Sequence, residues 1–319
     1  MNRQPMTPIT LSIAAVERDT GLSKDTLRVW ERRYGFPTPD RDATGERAYP
    51  LDQVERLRLV KRLLDAGHRP GRVVGRPLED LQQIAETTVD HPQRSAQPLL
   101  AGSEVRRLQA LLLEHRVAEL RRELALLLAR QGVRSFVVDV VAPLNQAIGE
   151  AWMRGQLAIY HEHLYSELVC TMLHQALLQV PAATSPGAPS VLLCTLPGEP
   201  HGLGLLMAQI ALTAEGCQCV SLGTQTPLPE VVAAARALRA DIVGIGFTGV
   251  LSLRQVQDAL LQLRRELPAP VQLWAGGTTQ GLQRRSVEGV EIVSSLDRIP
   301  ELLQPTLQGM RSSGADLRT

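Results

Sequence analysis

The chain has 319 residues and a mass of 34.9 kDa, more than one ordinary domain holds and suited to two or three. With 44% hydrophobic and 21% charged residues it is neither wholly disordered nor fibrous. No window nears the ~20 uninterrupted apolar residues of a membrane helix, and residues 1–11 lack a secretory pattern, so a cytoplasmic protein without a membrane partner is expected. The net charge of +1 hides an asymmetry: residues 1–76 carry 15 Lys and Arg against 10 Asp and Glu, the remainder 19 against 23. A basic N-terminal module on an acidic body points to a polyanion partner.

Three segments differ in pattern, giving expected domains at 8–80, 100–180 and 189–306. Proline-containing linkers are expected at 91–98 and 181–189. The four cysteines, Cys170, Cys194, Cys217 and Cys219, show neither zinc spacing nor a disulfide framework and read as core thiols.

In the first segment, Ser12–Asp19 can form a short helix with Ile13 and Val16 facing inward. Thr20-Gly21-Leu22 is a tight turn, and Ser23 is a good N-cap for a second helix, Lys24–Arg33. Helix, Gly-containing turn, helix is the helix-turn-helix pattern. Leu27 and Trp30 supply the apolar side of the second helix, while Lys24, Arg28, Arg32 and Arg33 face solvent. The stretch that follows, with Arg41, Gly45, Arg47 and Tyr49, suits a short hairpin, and Leu51–Gly67 suits a further amphipathic helix.

The run Ser12-Ile13-Ala14-Ala15-Val16, Thr20-Gly21-Leu22-Ser23 and Leu27-Arg28-Val29-Trp30-Glu31-Arg32-Arg33-Tyr34-Gly35, with Gly45, Arg47 and Tyr49, resembles the MerR family of transcription regulators. The resemblance implies a winged helix-turn-helix that binds double-stranded operator DNA as a dimer on a two-fold site. Expected DNA contacts are Lys24, Thr26, Arg28 and Arg32 on the second helix and Arg41, Arg47 and Tyr49 in the wing.

The second segment reads helical throughout. Glu104–Arg130 gives one or two helices, Val133–Gly149 another and Glu150–Val180 a long last one, for which a four-helix bundle is the economical packing. On one continuous helix at ~100° per residue, Trp152 and His163 differ by ~20° and share a face, with Glu162 flanking it. An indole, a carboxylate and an imidazole so placed could line a pocket for a planar polar ligand.

The third segment alternates short apolar runs with amphipathic helices. Strands are expected at Val191–Thr195, Cys219–Leu222, Ile242–Ile245, Val271–Trp274 and Val290–Val293, mostly separated by helices. That is a doubly wound parallel (Rossmann-like) sheet, so the fold class is multidomain, α and α/β. Ligands of such sheets sit beyond the carboxyl ends of the strands, where Gly204, Gly223, Gly276 and Gly277 fall. His201, in the loop after the first strand, is placed to ligate a metal, and Glu199 to fix its tautomer. A dinucleotide reading fails, since no acidic residue ends the second strand.

Glu199-x-His201-x-x-Gly204 resembles the cobalamin-binding signature whose histidine is the lower axial ligand to cobalt, and Gly276-Gly277 resembles its later double glycine. Trp152, then Glu162-His163, is similar to the pattern of the photoreceptor branch. With the MerR-like start, the chain resembles the CarH/LitR-type B12-dependent photoreceptor regulators. That resemblance implies adenosylcobalamin between bundle and sheet, His201 below cobalt, and Trp152, Glu162 and His163 around the 5′-deoxyadenosyl group. It also implies a dark homo-oligomer, dimer to tetramer, that represses transcription and releases DNA when light breaks the cobalt–carbon bond.

Three departures stand out, and one is that Pro200 and Gly202 replace the charged residues some relatives carry around the axial histidine. A bundle histidine that the family uses in its light-adapted state is replaced by Met153, a poor ligand for cobalt(III). The serine usual after a sheet strand is Gly246, with Thr248 as a stand-in. The expected protein is not an enzyme. The alternatives are a MerR-like regulator that senses another cobalamin form or another tetrapyrrole without this photochemistry, and a corrinoid methyl-carrier protein.

Overall fold

The computed structural model describes residues 10–42, 45–65, 68–88, 99–153, 156–181, 187–248, 250–277 and 287–315. The linker expected at 91–98 and most of the one at 181–189 lie outside them. The chain divides into two units, Met1–Gln93 with Glu150–Gln156, and Arg94–Gly149 with Leu157–Thr319.

The first unit runs β1 (Thr10–Ser12), α1 (Ile13–Thr20), α2 (Lys24–Tyr34), β2 (Asp40–Arg41), β3 (Arg47–Pro50), α3 (Leu51–Asp65), α4 (Pro70–Val73) and α5 (Leu78–Thr88). Both leading helices start at a serine. Ser12 Oγ accepts the Ala15 N–H at 3.3 Å, and Ser23 Oγ accepts the Thr26 N–H at 3.1 Å, each satisfying a donor the helix leaves open. Between them Gly21 takes φ +70° and its N–H closes on the Glu17 carbonyl, ending α1 and setting the turn. The wing is an antiparallel β2–β3 hairpin, and β1 adds to its other side in the order β1-β3-β2. Val16, Leu27, Trp30, Tyr49, Leu57 and Leu63 form the core, which continues past residue 80 to Leu81 and Ala85 on α5. The Arg58 guanidinium holds Asp19 through two bonds of 2.6 Å, fastening α3 to α1.

The second unit begins with α6 (Leu99–Leu113) and α7 (Val117–Ser135), followed by a π-helical stretch, Phe136–Val141. Next come α8 (Ala142–Met153), whose last turn groups with the first unit, and α9 (Ile159–Leu177). One long helix over Glu150–Val180 is therefore not formed. Helix α8 ends at Met153 and α9 restarts from an extended Ala158 (φ −73°, ψ 157°). The sequence carries a helix-weakening Gly155 in that interval.

The remainder is β4 (Ser190–Thr195), α10 (Leu203–Ala214), β5 (Gln218–Gly223), α11 (Leu228–Ala237), β6 (Ile242–Phe247), α12 (Leu253–Glu266), β7 (Gln272–Gly277), β8 (Val290–Val293) and α13 (Ile299–Ala315). All five strands are parallel in the order β5-β4-β6-β7-β8. Leu192, Cys194, Val243 and Ile245 face one buried cluster with α11 and α12, while Val191, Leu193 and Ile242 face another with α10 and α13. A run apolar on both faces is what a sheet covered by helices on both sides requires. Helix α10 also packs against α7, α9 and the π-helical stretch, so the helical part sits on its side of the sheet. Arg134 and Glu215 form an ion pair of 2.7 Å across this contact. All four cysteines are free, and burial pushes the Cys194 and Cys217 thiols up to about 12, leaving them unreactive. Among the described residues no helix is long and apolar enough to cross a membrane.

Candidate functional site

Strand order places the first candidate site. The sheet reverses direction of growth between β4 and β6, and the crevice at their carboxyl ends is where doubly wound sheets take ligands. The β4–α10 loop carries Glu199 and His201 into that crevice, and the residue after β6 is Thr248.

Glu199 is fully buried, and its carboxylate is completely engaged. Oε1 accepts from His201 Nδ1 at 2.7 Å and from the His201 N–H at 3.3 Å. Oε2 accepts the Thr248 N–H at 2.8 Å, and the Thr248 hydroxyl lies 2.9 Å from both oxygens. Burial alone would raise the Glu199 pKa, but the bonds from His201 and Thr248 outweigh it and hold the carboxyl below its ordinary value. An ionised acceptor at Nδ1 fixes the His201 hydrogen there, so Nε2 presents its lone pair outward on a ring that is 55% exposed.

Thr195, at the end of β4, holds the loop from below. Its buried hydroxyl donates to the Glu199 carbonyl at 2.6 Å and accepts the Gln225 N–H at 2.9 Å, joining the β4–α10 and β5–α11 loops. Gly277 is required for a backbone reason: φ is +121° and a Cβ would lie 1.8 Å from the Phe247 carbonyl oxygen. Gly204 differs, because a Cβ there would meet no protein atom within 4 Å, and a ligand can approach the first turn of α10. Gly223 ends β5, and Gly276 has room beside Val293.

The helical candidates are arranged otherwise than expected. Trp152 lies in the last turn of α8 and belongs to the first unit, where the Arg62 guanidinium lies over its ring. Glu162 and His163 lie on α9, so the single continuous helix on which the shared face was expected is not formed. The side chain of Met153 lies outside the described residues. Glu162 bonds His163 Nδ1 at 2.9 Å and accepts the Ser166 hydroxyl at 2.7 Å, leaving the His163 ring exposed. Sequence reasoning missed Ser166, although its spacing of four residues from Glu162 is the signal that it shares that helix face. It also missed Thr195.

The second candidate site is the basic face of the first unit. Arg28 is exposed and pairs with Asp25, Arg32 leans on the Arg28 carbonyl, and Thr26 completes the cap with Ser23. Lys24 pairs with Glu17 at 3.5 Å, and Arg41 spans the wing to the Gly45 carbonyl at 2.8 Å. Two expected contacts play other parts. Tyr49 is wholly buried in the core of the unit, packed with Val16, Leu27 and Trp30. Arg47 is tied to Glu31 of α2 at 2.9 Å, half-buried, and braces the wing. Missed were Arg33, Tyr34, Arg69, Arg72 and Arg76, which with His68 line an open cleft of about 840 Å³. Arg33, Arg69 and Arg72 have no carboxylate partner among the described residues.

Comparison with known proteins follows the same division. The family described as MerR HTH family regulatory protein matches residues 11–74, and the B12 binding domain family matches residues 104–175. The HTH-type transcriptional repressor CarH of Myxococcus xanthus is 32% identical over 266 residues, 81% of this chain and 85% of the relative. The repressor CarA of the same organism is 29% identical over 295 residues, 91% of this chain and 95% of the relative. The solved monomethylamine corrinoid protein of Methanosarcina barkeri superposes with a TM-score of 0.52 at 14% identity, covering 62% of this chain and 96% of its own. That last likeness is one of fold.

Proposed function

The chain belongs to the family of CarH-type, MerR-like transcriptional repressors that depend on B12, and on that footing we propose that it reads light through bound adenosylcobalamin and releases operator DNA in response. The observation that carries this reading is the Glu199–His201–Thr248 arrangement: a buried carboxylate fixing an exposed imidazole at the switch point of the sheet.

The residues fit a corrinoid. Among the described residues no group of three or more His, Cys, Asp or Glu gathers to cage a metal. A single outward imidazole suits a metal that brings its equatorial nitrogens in a macrocycle. His201 Nε2 would hold the cobalt, and the open approach at Gly204 would admit the group to the first turn of α10. Glu162 and His163 on α9 would supply further contacts to the group. When bound, adenosylcobalamin supplies a cobalt–carbon bond that visible light breaks.

The chain's own residues then carry the signal by linkage. A ligand shifts an equilibrium only by the difference in its affinity for two states, so α9 and the sheet rim must grip the adenosyl form better in the DNA-binding assembly. That assembly is a homo-oligomer of dimer to tetramer size, in which several helix-turn-helix units act at high effective concentration on one operator. Lys24, Arg28, Arg32 and Arg41 contact the duplex, and the Arg33–Arg69–Arg72 cleft adds phosphate contacts.

The test is spectroscopic. The chain purified with adenosylcobalamin in darkness is expected to retain a corrinoid whose spectrum changes in His201→Ala and bleaches under green light. Gel shifts before and after illumination should show weakened DNA binding and, by light scattering, a smaller assembly. No retained corrinoid, or an identical spectrum in His201→Ala, sinks the reading.

A further inference from the structure

One cluster of titratable rings lies at the start of α9, just before Glu162 and His163. Helix α9 has alanine at its N-cap, so no N-cap side chain satisfies the first free N–H groups. His161, the third residue of the helix, reaches back instead: its Nδ1 accepts the Ala158 N–H at 3.2 Å, the bond a Glu or Gln makes in a capping box. Accepting at Nδ1 requires a neutral ring with hydrogen on Nε2. That Nε2 is buried without a hydrogen-bond partner, and the residue is 7% exposed.

Two rings press on it. The Tyr160 and His115 ring centroids lie 4.1 and 4.9 Å from that of His161, and His115 Nε2 bonds the Tyr160 hydroxyl at 2.6 Å. His115 sits in the α6–α7 turn at φ +59°, a left-handed conformation uncommon for a residue with a side chain. Around the cluster, α6, α7 and α10 pack against α9. Helix α10 carries no charged residue. Arg107 of α6 pairs with Glu123 of α7, Glu119 of α7 pairs with Arg116, and Glu162 on α9 is held by His163 and Ser166. His115 is thus the titratable group that bears on His161, together with the Tyr160 phenol.

We propose that His161 is a proton-sensitive cap: protonating its ring breaks the bond to Ala158, places a positive charge against the His115 and Tyr160 rings, and opens the first turn of α9. Burial, and then the neighbouring His115, hold the His161 pKa below its ordinary value. The sign follows. The neutral ring favours the closed turn, so this contribution is full above the ordinary histidine pKa and falls away as pH drops towards the lowered one. Glu162 and His163 follow His161 directly, so acid would loosen the contacts they provide; that consequence rests on the cobalamin reading, and the cap itself does not.

Hydrogen exchange on the full chain without cofactor tests the cap. Between about pH 7.5 and about pH 5, protection of the amides of residues 159–163, corrected for intrinsic rates, is expected to fall by up to about tenfold per pH unit below ~6.5. His161→Gln keeps an acceptor for Ala158 without a titrating ring and is expected to abolish that dependence. The same slope in His161→Gln overturns the proposal. Should the variant fail to fold, the wild-type ring decides by NMR: a midpoint below the ordinary range that coincides with a shift of the Ala158 amide supports the cap, and titration in the ordinary range overturns it. Retention of adenosylcobalamin across the same pH range separates the two claims. Loss of corrinoid at every pH fails the cobalamin reading alone, and equal acid loss in both proteins fails the coupling between the cap and those contacts.

Discussion

Thr248 grips the buried carboxylate of Glu199 with two groups at once, its N–H at 2.8 Å on Oε2 and its hydroxyl at 2.9 Å from both oxygens, across 49 residues of chain. Position 246 is a glycine beside Thr195, and Thr248 two residues later supplies a hydroxyl to Glu199. The hydroxyl also lies 3.1 Å from His201 Nδ1, so one threonine orders both partners.

Thr248→Val keeps the shape and the N–H bond but removes the hydroxyl. Outer partners of metal-binding histidines are worth ~10–100-fold in affinity, and a loss in that range is expected for the corrinoid. Thr248→Ser should recover most of it. Equilibrium titration followed by absorbance checks both; a Val variant that binds as well as wild type would remove Thr248 from the site.

Glu199 sets an acid limit. Its folded pKa lies below the ordinary carboxylate value, so its contribution is present above the unfolded pKa of ~4.3 and is lost as pH falls through the folded one. Thermal unfolding of wild type and Glu199→Gln should therefore differ most near neutrality and converge below about pH 4. Curves that stay parallel well below that pH would contradict the engaged carboxylate.

The two glycine positions should separate fold from ligand. Gly277→Ala puts a Cβ 1.8 Å from the Phe247 carbonyl at φ +121°, and a cost of ~3 kcal/mol or more is expected in denaturant melts. Gly204→Leu meets no protein atom within 4 Å of its Cβ, so the cofactor-free chain should keep its stability while corrinoid binding falls. A Gly204→Leu protein that binds normally would place the ring elsewhere.

Much of this was legible because it is local. Ser23 before Lys24, Gly21 between two helices, and Glu199 two residues before His201 each fix geometry within a few residues, and a single sequence carries that information directly. The errors fall where distant chain decides. Trp152 and His163 shared a face only if one helix ran unbroken, and the restart at Ala158 removed that premise. Tyr49 fitted a wing motif, yet which face of β3 is buried is set by α1, α2 and α3 together. Thr195 looked like an ordinary strand end, because its value lies in bonds to two loops. The cleft at Arg69 and Arg72 was missed because its arginines come from α2, the segment before α4, and α4 itself, and no one segment looks unusually basic.

That cleft yields the sharpest test of the DNA-binding half. Tyr49→Phe should leave DNA affinity unchanged, since the ring is buried and its hydroxyl has no partner, whereas Tyr49→Ala should cost ~3–5 kcal/mol of stability. Arg69→Ala and Arg72→Ala remove charges that no carboxylate neutralises among the described residues. Each phosphate that is no longer neutralised should lower the slope of log K against log salt by ~0.9 and weaken specific and non-specific binding alike. Arg28→Ala, near the start of the recognition helix, should instead also reduce discrimination between operator and random duplex. Fluorescence anisotropy at several salt concentrations measures all three. An unchanged salt slope in the double Arg69→Ala, Arg72→Ala variant would confine the footprint to α2 and the wing.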